Sequence, residues 1–261
     1  MSDFHPADAR SSEKAALLEL ENISVQAGNA KILHDVRFAC ARGEIIGLVG
    51  DNGAGKSTLV KVITGHYAPC QGMMRWNGQP IRDFSPGLAR AAGIEAVYQD
   101  LALIGELSLW RNFFLGKELN RGWGPWRGLR VNAMRDVCLQ ELKKIGLTRV
   151  KSADAPAAVL SGGERQALAI TRAAYFGAHL LLLDEPTAAL SVRETRNVLD
   201  LIQSLRAQGH GIIHIDHNLA HIYPIADRIV LLSHGRVKAA FARGEIGEKD
   251  LTELLAQPAS Q

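Results

Sequence analysis

A glycine-rich run beginning at Gly50 constrains this chain more than any other feature of its sequence. It matches the pattern G-x-x-x-x-G-K-[ST], in which backbone N–H groups converge on phosphate oxygens at a helix N-terminus. Within the run, Lys56 can reach the β- and γ-phosphates of a nucleotide, and the Ser57 hydroxyl can coordinate Mg²⁺. The residues expected to contact the nucleotide are Gly50, Asp51, Asn52, Gly53, Ala54, Gly55, Lys56, Ser57 and Thr58.

The residues on either side of this run have the pattern that a phosphate-binding loop requires. Glu44 to Val49 predicts a short buried strand, and Ser57 to Thr64 predicts a helix that Gly65 ends. The alternative interpretation is a glycine-rich turn that happens to precede a helix. The order strand, loop, helix favours the phosphate-binding interpretation.

The amino-acid composition indicates which class of protein this is and which kinds of partner it is suited to bind. A chain of 261 residues with 47% hydrophobic content can bury a substantial core, as a soluble globular protein does. The net charge is only +3 and the basic residues are scattered, which argues against a nucleic-acid partner. Cys40, Cys70 and Cys138 share no metal-ligand spacing, which suits reduced thiols in the cytosol.

Neither a secretory signal nor a membrane span is expected. Met1 to Ala16 mixes charge and serine without an apolar centre, unlike a signal peptide. No apolar run reaches the about 20 residues that a transmembrane helix needs. Any role at a membrane would therefore depend on a partner.

Strands and helices alternate along the chain, which predicts an α/β fold with a mostly parallel sheet covered on both faces. Before the loop, Leu17 to Val25 and Lys31 to Cys40 predict two strands joined by a turn at Ala27-Gly28-Asn29. Strands are further predicted at Gly72–Gly78, Ile94–Tyr98, Leu180–Asp184, Gly211–Ile215 and Ile229–Ser233, and helices at Leu109–Leu115, Asn132–Ile145 and Glu248–Leu255 and from Gly162, Val192 and Asn218.

These elements predict one phosphate-loop NTPase domain with two additions. We expect a polar N-terminal tail over residues 1–16, a single ATPase domain over 17–240 and a C-terminal tail with a short helix over 241–261. The domain would begin with an antiparallel β subdomain. A helical subdomain, containing a loop at Arg121 to Arg130, would be inserted at about residues 99–160.

Two carboxylates follow the strand of four leucines that precedes Asp184. In an open α/β sheet, ligands bind beyond the carboxyl ends of the strands. Asp184 can hold Mg²⁺ through water, and Glu185 can polarise the water that attacks a γ-phosphate. An apolar strand that ends in Asp-Glu is common, so this assignment depends on the phosphate loop earlier in the chain.

The segment Leu160 to Gln166 opens a helix with a serine and two glycines. Taken alone, it is an ordinary helix N-cap followed by flexible glycines. It is also a second helix N-terminus that could accept an anion, with the Ser161 hydroxyl as donor. Its position relative to the other motifs, about 20 residues before the Leu180 strand, resembles that of the signature segment of the ATP-binding cassette superfamily.

The chain resembles that superfamily from about Leu17 to Lys238. Five motifs carry the resemblance in order: Gly50 to Thr58, Tyr98-Gln99, Leu160 to Gln166, Leu183 to Thr187, and Asp216-His217. The resemblance implies a head-to-tail dimer with two ATP molecules at its interface. In it, Ser161, Gly162 and Gly163 would close over the ATP of the other subunit. Gln99 would sense Mg²⁺ and the γ-phosphate, and His217 would contact the γ-phosphate.

A closer resemblance points to monosaccharide importers of the fructose/ribose type. It is carried by Ala92 to Gln99, Phe113 to Glu118 and Asp184 to Leu190. It implies an ATPase subunit on the cytoplasmic face of the bacterial inner membrane, bound to permease subunits and served indirectly by a periplasmic sugar-binding protein. The chain has one cassette, so it would pair with a copy of itself or with a separate cassette.

Two other functions stay open on sequence alone. One is a cassette ATPase of DNA repair or translation, although such proteins usually carry a coiled coil, zinc-binding cysteines or a second cassette. The other is a regulatory cassette that binds ATP without turnover, against which the intact Lys56, Asp184, Glu185 and His217 argue.

Three positions depart from the family pattern. No aromatic residue lies near Ala27, where the family usually stacks a ring on adenine. Ser191 replaces the usual Asp, and with Glu194 it predicts a capping box for the next helix. Asp216 replaces a residue that is more often Ser, and a carboxylate there would favour the charged form of the His217 ring if the two side chains approach.

Overall fold

The computed structural model describes residues 15–81, 85–121 and 128–256, and two sheets organise them. The strands are β1 (Ala16–Ala27), β2 (Ala30–Ala41), β3 (Ile45–Val49), β4 (Gln71–Trp76), β5 (Gln79–Ile81), β6 (Ile94–Val97), β7 (Asn120–Arg121), β8 (Gly128–Leu129), β9 (Leu180–Asp184), β10 (Gly211–Ile215), β11 (Arg228–Ser233) and β12 (Arg236–Ala242). The helices are α1 (Lys56–Ile63), α2 (Pro86–Ala91), α3 (Leu109–Phe114), α4 (Val131–Lys144), α5 (Gly162–Tyr175), α6 (Val192–Ala207), α7 (Leu219–Ile222) and α8 (Glu248–Ala256).

The larger sheet has six strands in the order β12-β11-β3-β10-β9-β6. Its strands are parallel except β12, which pairs antiparallel with β11. Strands buried on both faces favour continuous apolar runs, and four leucines in β9 and three isoleucines in β10 supply them. The predicted α/β fold with a mostly parallel sheet is confirmed.

The smaller sheet is the predicted antiparallel subdomain, with strands in the order β2-β1-β4-β5. It packs with α1 on one face of the parallel sheet, in a core that includes Leu20, Val36, Leu59 and Leu182. The other face is covered by α5, α6 and α7. Both faces of the parallel sheet are therefore buried, and its carboxyl edge is left to carry the site.

The segment between β6 and α5 has an apolar core of its own. Side chains of α3 and α4 meet there, among them Phe113, Phe114, Met134 and Cys138. Burial raises the pKa of the Cys138 thiol to about 12, which keeps it protonated and unreactive at neutral pH. This separate cluster agrees with a helical insertion, while the domain boundaries themselves stay a prediction.

Several elements were not predicted. They are short, like β5, α2, β7 and β8, or rich in small residues, like β12 with its three alanines. Residues 1–14, the Trp-containing centre of the predicted loop at 122–127, and the end of the predicted C-terminal tail at 257–261 lie outside the described residues. Across the part of the chain that is described, no helix is long and apolar enough to cross a bilayer.

Candidate ATP-hydrolysis site

The phosphate loop connects β3 to α1, as the sequence predicts. At Gly50, with φ +151°, a Cβ atom would lie 2.1 Å from the carbonyl oxygen of Leu232. At Gly55, with φ +104°, a Cβ atom would lie 2.8 Å from a methyl carbon of Leu33. Glycine is therefore required at both positions, because the loop turns tightly against neighbouring strands.

The helix that follows this loop begins with open hydrogen-bond donors. Within the described residues, no side chain caps α1 and its first turn carries no acidic residue. The first backbone N–H groups of a helix have no partner within the helix, so they are available to an anion. The loop and helix together have the arrangement that binds phosphate.

Lys56, the first residue of α1, folds back over the loop. Its Nζ donates to the carbonyl oxygens of Gly50 at 2.6 Å and Asp51 at 3.0 Å. Burial lowers the pKa of Lys56, and the negative charges of Glu185, Asp184 and Asp51 act against that shift. The Lys56 ammonium therefore lies within electrostatic range of both carboxylates at the end of β9.

Asp184 and Glu185 lie where β9 leaves the sheet. Burial raises the pKa of Asp184, the charge of Glu185 raises it further, and Lys56 opposes both. A cation beside Asp184 would stabilise its charged form. Glu185 has φ +48°, an unusual value for a residue with a side chain, while its N–H donates to the carbonyl oxygen of Ile215 at 2.8 Å.

His217 lies beside Glu185, although 32 residues separate them in the sequence. Strand β10 pairs with β9 so that Ile215 is opposite Asp184, which brings the two following loops together. The Nδ1 atom of His217 is 3.0 Å from Oε1 of Glu185, and the ring is 66% exposed. The histidine is thus held on one side and open to solvent on the other.

Gln99 lies at the same edge of the sheet. It follows β6, whose last residue Val97 is opposite Leu183 of β9, and it is exposed. Within the described residues it makes no hydrogen bond. Gln99 is two residues beyond Val97 and Glu185 is two residues beyond Leu183, so both follow their strands at the same edge of the sheet. A direct contact between Gln99 and the other site residues stays a prediction.

The signature segment forms a capped helix start. The Ser161 hydroxyl accepts from the Glu164 N–H at 3.3 Å, while the Glu164 carboxylate accepts from the Ser161 N–H at 2.8 Å. The Glu164 carboxylate also pairs with Arg149, whose hydrogen bond is the main reason that the pKa of Glu164 is lowered. The ordinary N-cap interpretation of Ser161 is therefore correct for the single subunit, and its contact with a partner's ATP stays a prediction.

The two glycines of this segment are explained by packing against α6. A Cβ atom at Gly163 would lie 2.6 Å from the Cβ atom of Glu194, and one at Gly162 would lie 3.2 Å from Leu190. The Glu194 carboxylate accepts from the Gly163 N–H at 3.2 Å and completes the predicted capping box with Ser191. No hydrogen bond or ion pair of the described residues joins Ser161 to the phosphate loop.

The sequence pattern missed a group of side chains behind His217. Thr187, Asn218 and His221 surround Asp216, whose carboxylate is 3.7 Å from the Nδ1 atom of His217. A histidine one helical turn beyond His217 was a visible signal for this cluster. Its hydrogen bonds could not be read from the sequence.

Comparison with known proteins identifies the family of this arrangement. The family model for "ABC transporter" matches residues 33–188. The xylose/arabinose import ATP-binding protein of Sulfolobus acidocaldarius is 38% identical over 242 residues, which cover 92% of this chain and 93% of that protein. The fructose import ATP-binding protein of Rhizobium meliloti is 43% identical over 212 residues, which cover 80% and 82%.

Longer relatives and solved structures give the same family. A ribose import ATP-binding protein of Burkholderia cenocepacia is 36% identical over 95% of this chain, which spans only 48% of that relative. A solved structure described as the ATP-binding subunit of an ABC transporter is 28% identical, with a TM-score of 0.72. The alignment covers 92% of this chain and all of that structure.

Proposed function

The chain belongs to the ABC transporter family and is an ATPase of that family, and we propose that it powers a bacterial importer of a monosaccharide such as fructose or ribose. The observation that carries the proposal is the meeting of the phosphate loop, Asp184, Glu185 and His217 at one edge of the parallel sheet. The sugar assignment is supported by the names of the similar proteins, which are import ATP-binding proteins for sugars.

We assign ATP binding to the phosphate loop. The open N–H groups of α1 would bind phosphate oxygens, and Lys56 would leave the carbonyl oxygen of Gly50 to reach the β- and γ-phosphates. Mg²⁺, when bound, would neutralise charge on those phosphates. Ser57, Gln99 and Asp184 would hold it, and this small donor set fits Mg²⁺, which keeps several waters and is bound partly by substrate phosphates.

Hydrolysis would take place between Glu185 and His217. Glu185 would polarise the attacking water with a carboxylate oxygen. Nδ1 of His217 faces Glu185 at 3.0 Å, so the other ring nitrogen is the one available to the γ-phosphate. The bond from the Glu185 N–H to the Ile215 carbonyl oxygen would hold the backbone that carries the carboxylate.

The signature segment would complete the site of a second subunit. Ser161 is exposed and has no bond to the phosphate loop of its own chain, which supports a role toward another copy. The resulting head-to-tail dimer would bind permease subunits on the cytoplasmic face of the inner membrane. A periplasmic sugar-binding protein would deliver the sugar to the permease and contact this chain only indirectly.

We assign the permease contact to a groove beside Gln99. It lies where β6 ends next to α3 and α5, and Tyr98, Leu115 and Phe176 line it together with Arg90 and Arg172. The side chains of Tyr98 and Leu115 are 38% and 42% exposed. Because this groove lies next to Gln99 and combines exposed apolar groups with charged groups of both signs, it would let a membrane partner sense closure of the ATP site.

The catalytic assignment is tested by Glu185→Gln, with Glu253→Gln on the exposed face of α8 as the matched control. We expect the Glu185 variant to bind ATP with unchanged affinity and to lose about a hundredfold or more in kcat, because an amide cannot act as a base. It should also remain dimeric with ATP and Mg²⁺ during gel filtration. A monomeric variant with near-normal turnover would contradict the role of Glu185.

The transport assignment needs a test in the native host. Deletion of the gene should abolish uptake of one labelled monosaccharide among fructose, ribose, xylose and arabinose, and a wild-type copy should restore it while the Glu185→Gln copy should not. A permease should co-purify with the chain. Normal uptake of all four sugars, together with an intact ATPase activity, would remove the sugar assignment and leave the ATPase assignment standing.

A further inference from the structure

A buried carboxylate lies between the loops that carry Glu185 and His217. Asp216 is 2% exposed, and each of its two carboxylate oxygens accepts a hydrogen bond. Its Oδ2 accepts the hydroxyl of Thr187 at 2.6 Å, and its Oδ1 accepts the backbone N–H of Asn218 at 2.9 Å. Thr187 belongs to the loop after β9 and Asp216 to the loop after β10, so this bond joins the two loops directly.

Hydrogen-bonding rules assign the direction of each bond around Asp216. Burial acts to raise the pKa of Asp216, but His214, Thr187 and the Asn218 N–H outweigh it and hold that pKa well below its usual range. An ionised carboxylate accepts hydrogen bonds and donates none. The single hydroxyl hydrogen of Thr187 therefore points to Asp216.

The same rules fix the state of His221. Its Nδ1 is 2.9 Å from the Thr187 oxygen and 3.3 Å from Oδ2 of Asp216, and both of these oxygens act as acceptors. Nδ1 must therefore carry a hydrogen. Nε2 is 3.1 Å from the amide nitrogen of Asn218, which donates, so Nε2 acts as an acceptor. Each of these donors and acceptors therefore has a hydrogen-bond partner.

We propose that Asp216, Thr187 and His221 form a positioning network for ATP hydrolysis, which holds the loop of Glu185 at a fixed distance from the loop of His217. This inference rests on the proposed function of the same site. None of the three residues touches the reacting atoms. The 3.0 Å separation of Glu185 and His217 is the quantity that the network sets.

Two further histidines lie near the Asp216 carboxylate. His214 in β10 is fully buried, and its Nε2 is 3.7 Å from Oδ2 of Asp216, a separation longer than that of a normal hydrogen bond. His217 is at the same distance from Oδ1. Asp216 is thus the one carboxylate, within the described network, that faces His214, His217 and His221 together.

The test compares Thr187→Val with Thr187→Ser. Valine has the shape of threonine but no hydroxyl, whereas serine retains the donor. Because small misplacements of catalytic groups can cost up to about a hundredfold, we expect kcat to fall about tenfold or more in Thr187→Val and to be largely restored in Thr187→Ser. The Kd for ATP should not change in either variant.

A double variant and a matched control complete the experiment. Asp216→Ala combined with Thr187→Val should be no slower than Asp216→Ala alone, because the alanine already removes the oxygen that accepts the Thr187 hydroxyl. Thr171→Val removes a buried hydroxyl that has no hydrogen-bond partner in the described residues, so kcat should stay within about twofold. Circular dichroism at the assay temperature should show all variants folded.

The outcomes separate this inference from the proposed function. If the parent hydrolyses ATP and Glu185→Gln does not, but Thr187→Val keeps its full kcat, the positioning network is refuted alone. Loss of kcat in Thr187→Ser equal to that in Thr187→Val would also refute it, because the hydroxyl would then be irrelevant. A parent that fails to hydrolyse ATP would refute the proposed function.

Discussion

The ion pair of Glu44 and Arg228 offers the sharpest test of what joins the two sheets. Glu44 is 6% exposed and lies between β2 and β3, while Arg228 is 8% exposed and begins β11. Oε1 of Glu44 accepts from Nε of Arg228 at 3.1 Å, and Oε2 accepts from the Ala41 N–H at 2.7 Å. Replacing Glu44 by Ala therefore removes both a counter-charge and a cap for a buried N–H.

The size of the effect follows from these contacts. Removing one partner of a buried pair costs about 3–5 kcal/mol. We expect about 3 kcal/mol for Glu44→Ala, the lower end, because the Ala39 carbonyl oxygen still accepts from Nη2 of Arg228. For a domain of this size, that loss lowers Tm by about 6–12 °C.

The control is the same change at Glu21, whose side chain is 46% exposed and lies 3.3 Å from Arg75, itself 33% exposed. A solvent-exposed pair of this kind is worth at most about 1 kcal/mol, so Glu21→Ala should lower Tm by less than about 4 °C. Urea and thermal unfolding followed by circular dichroism measure both variants. Equal midpoints for the two would refute the claim that the buried pair joins the sheets.

Three further outcomes are expected. Ser161→Arg should abolish hydrolysis without weakening ATP binding to the monomer, as measured by calorimetry, and lost monomer affinity would contradict a site shared by two subunits. GTP should compete with ATP within about tenfold because no aromatic residue lies near Ala27 to stack on the base, and a preference of several hundredfold for ATP would overturn this. The lowered pKa of Asp216 should make the parent more stable than Asp216→Asn above about pH 4, and urea unfolding should show this advantage disappear as the pH falls toward the lower pKa of the folded state.

The sequence predicted the elements whose local pattern decides their structure. The four leucines before Asp184 predict a strand buried on both faces, and β9 begins and ends at the predicted residues. By contrast, α2 has six residues and β12 contains small alanines, so neither has enough periodic apolar residues to be recognised. The local sequence pattern is informative when a strand is buried on both faces of a sheet or when a motif determines the conformation of a turn.

In the candidate site too, some features were predictable from the sequence and others were not. The nearness of Glu185 and His217 was implied by family resemblance, and the register of β9 and β10 explains it physically. The left-handed backbone of Glu185 and the bond from Thr187 to Asp216 were not predictable, because they depend on contacts between residues 29 or more positions apart. Tertiary hydrogen bonds leave no periodic trace in a sequence.

The two anion-binding helix starts of the proposed dimer differ in one physical respect. Helix α1 has no side-chain cap and no acidic residue in its first turn, so its donors are open to phosphate. At the N-terminus of α5, the N–H groups of Ser161 and Gly163 already donate to the carboxylates of Glu164 and Glu194. A phosphate approaching α5 must displace or tolerate these charges, whereas the first turn of α1 presents N–H donors that no carboxylate caps. The nucleotide is therefore expected to bind the phosphate loop first and to recruit the partner's signature segment afterwards.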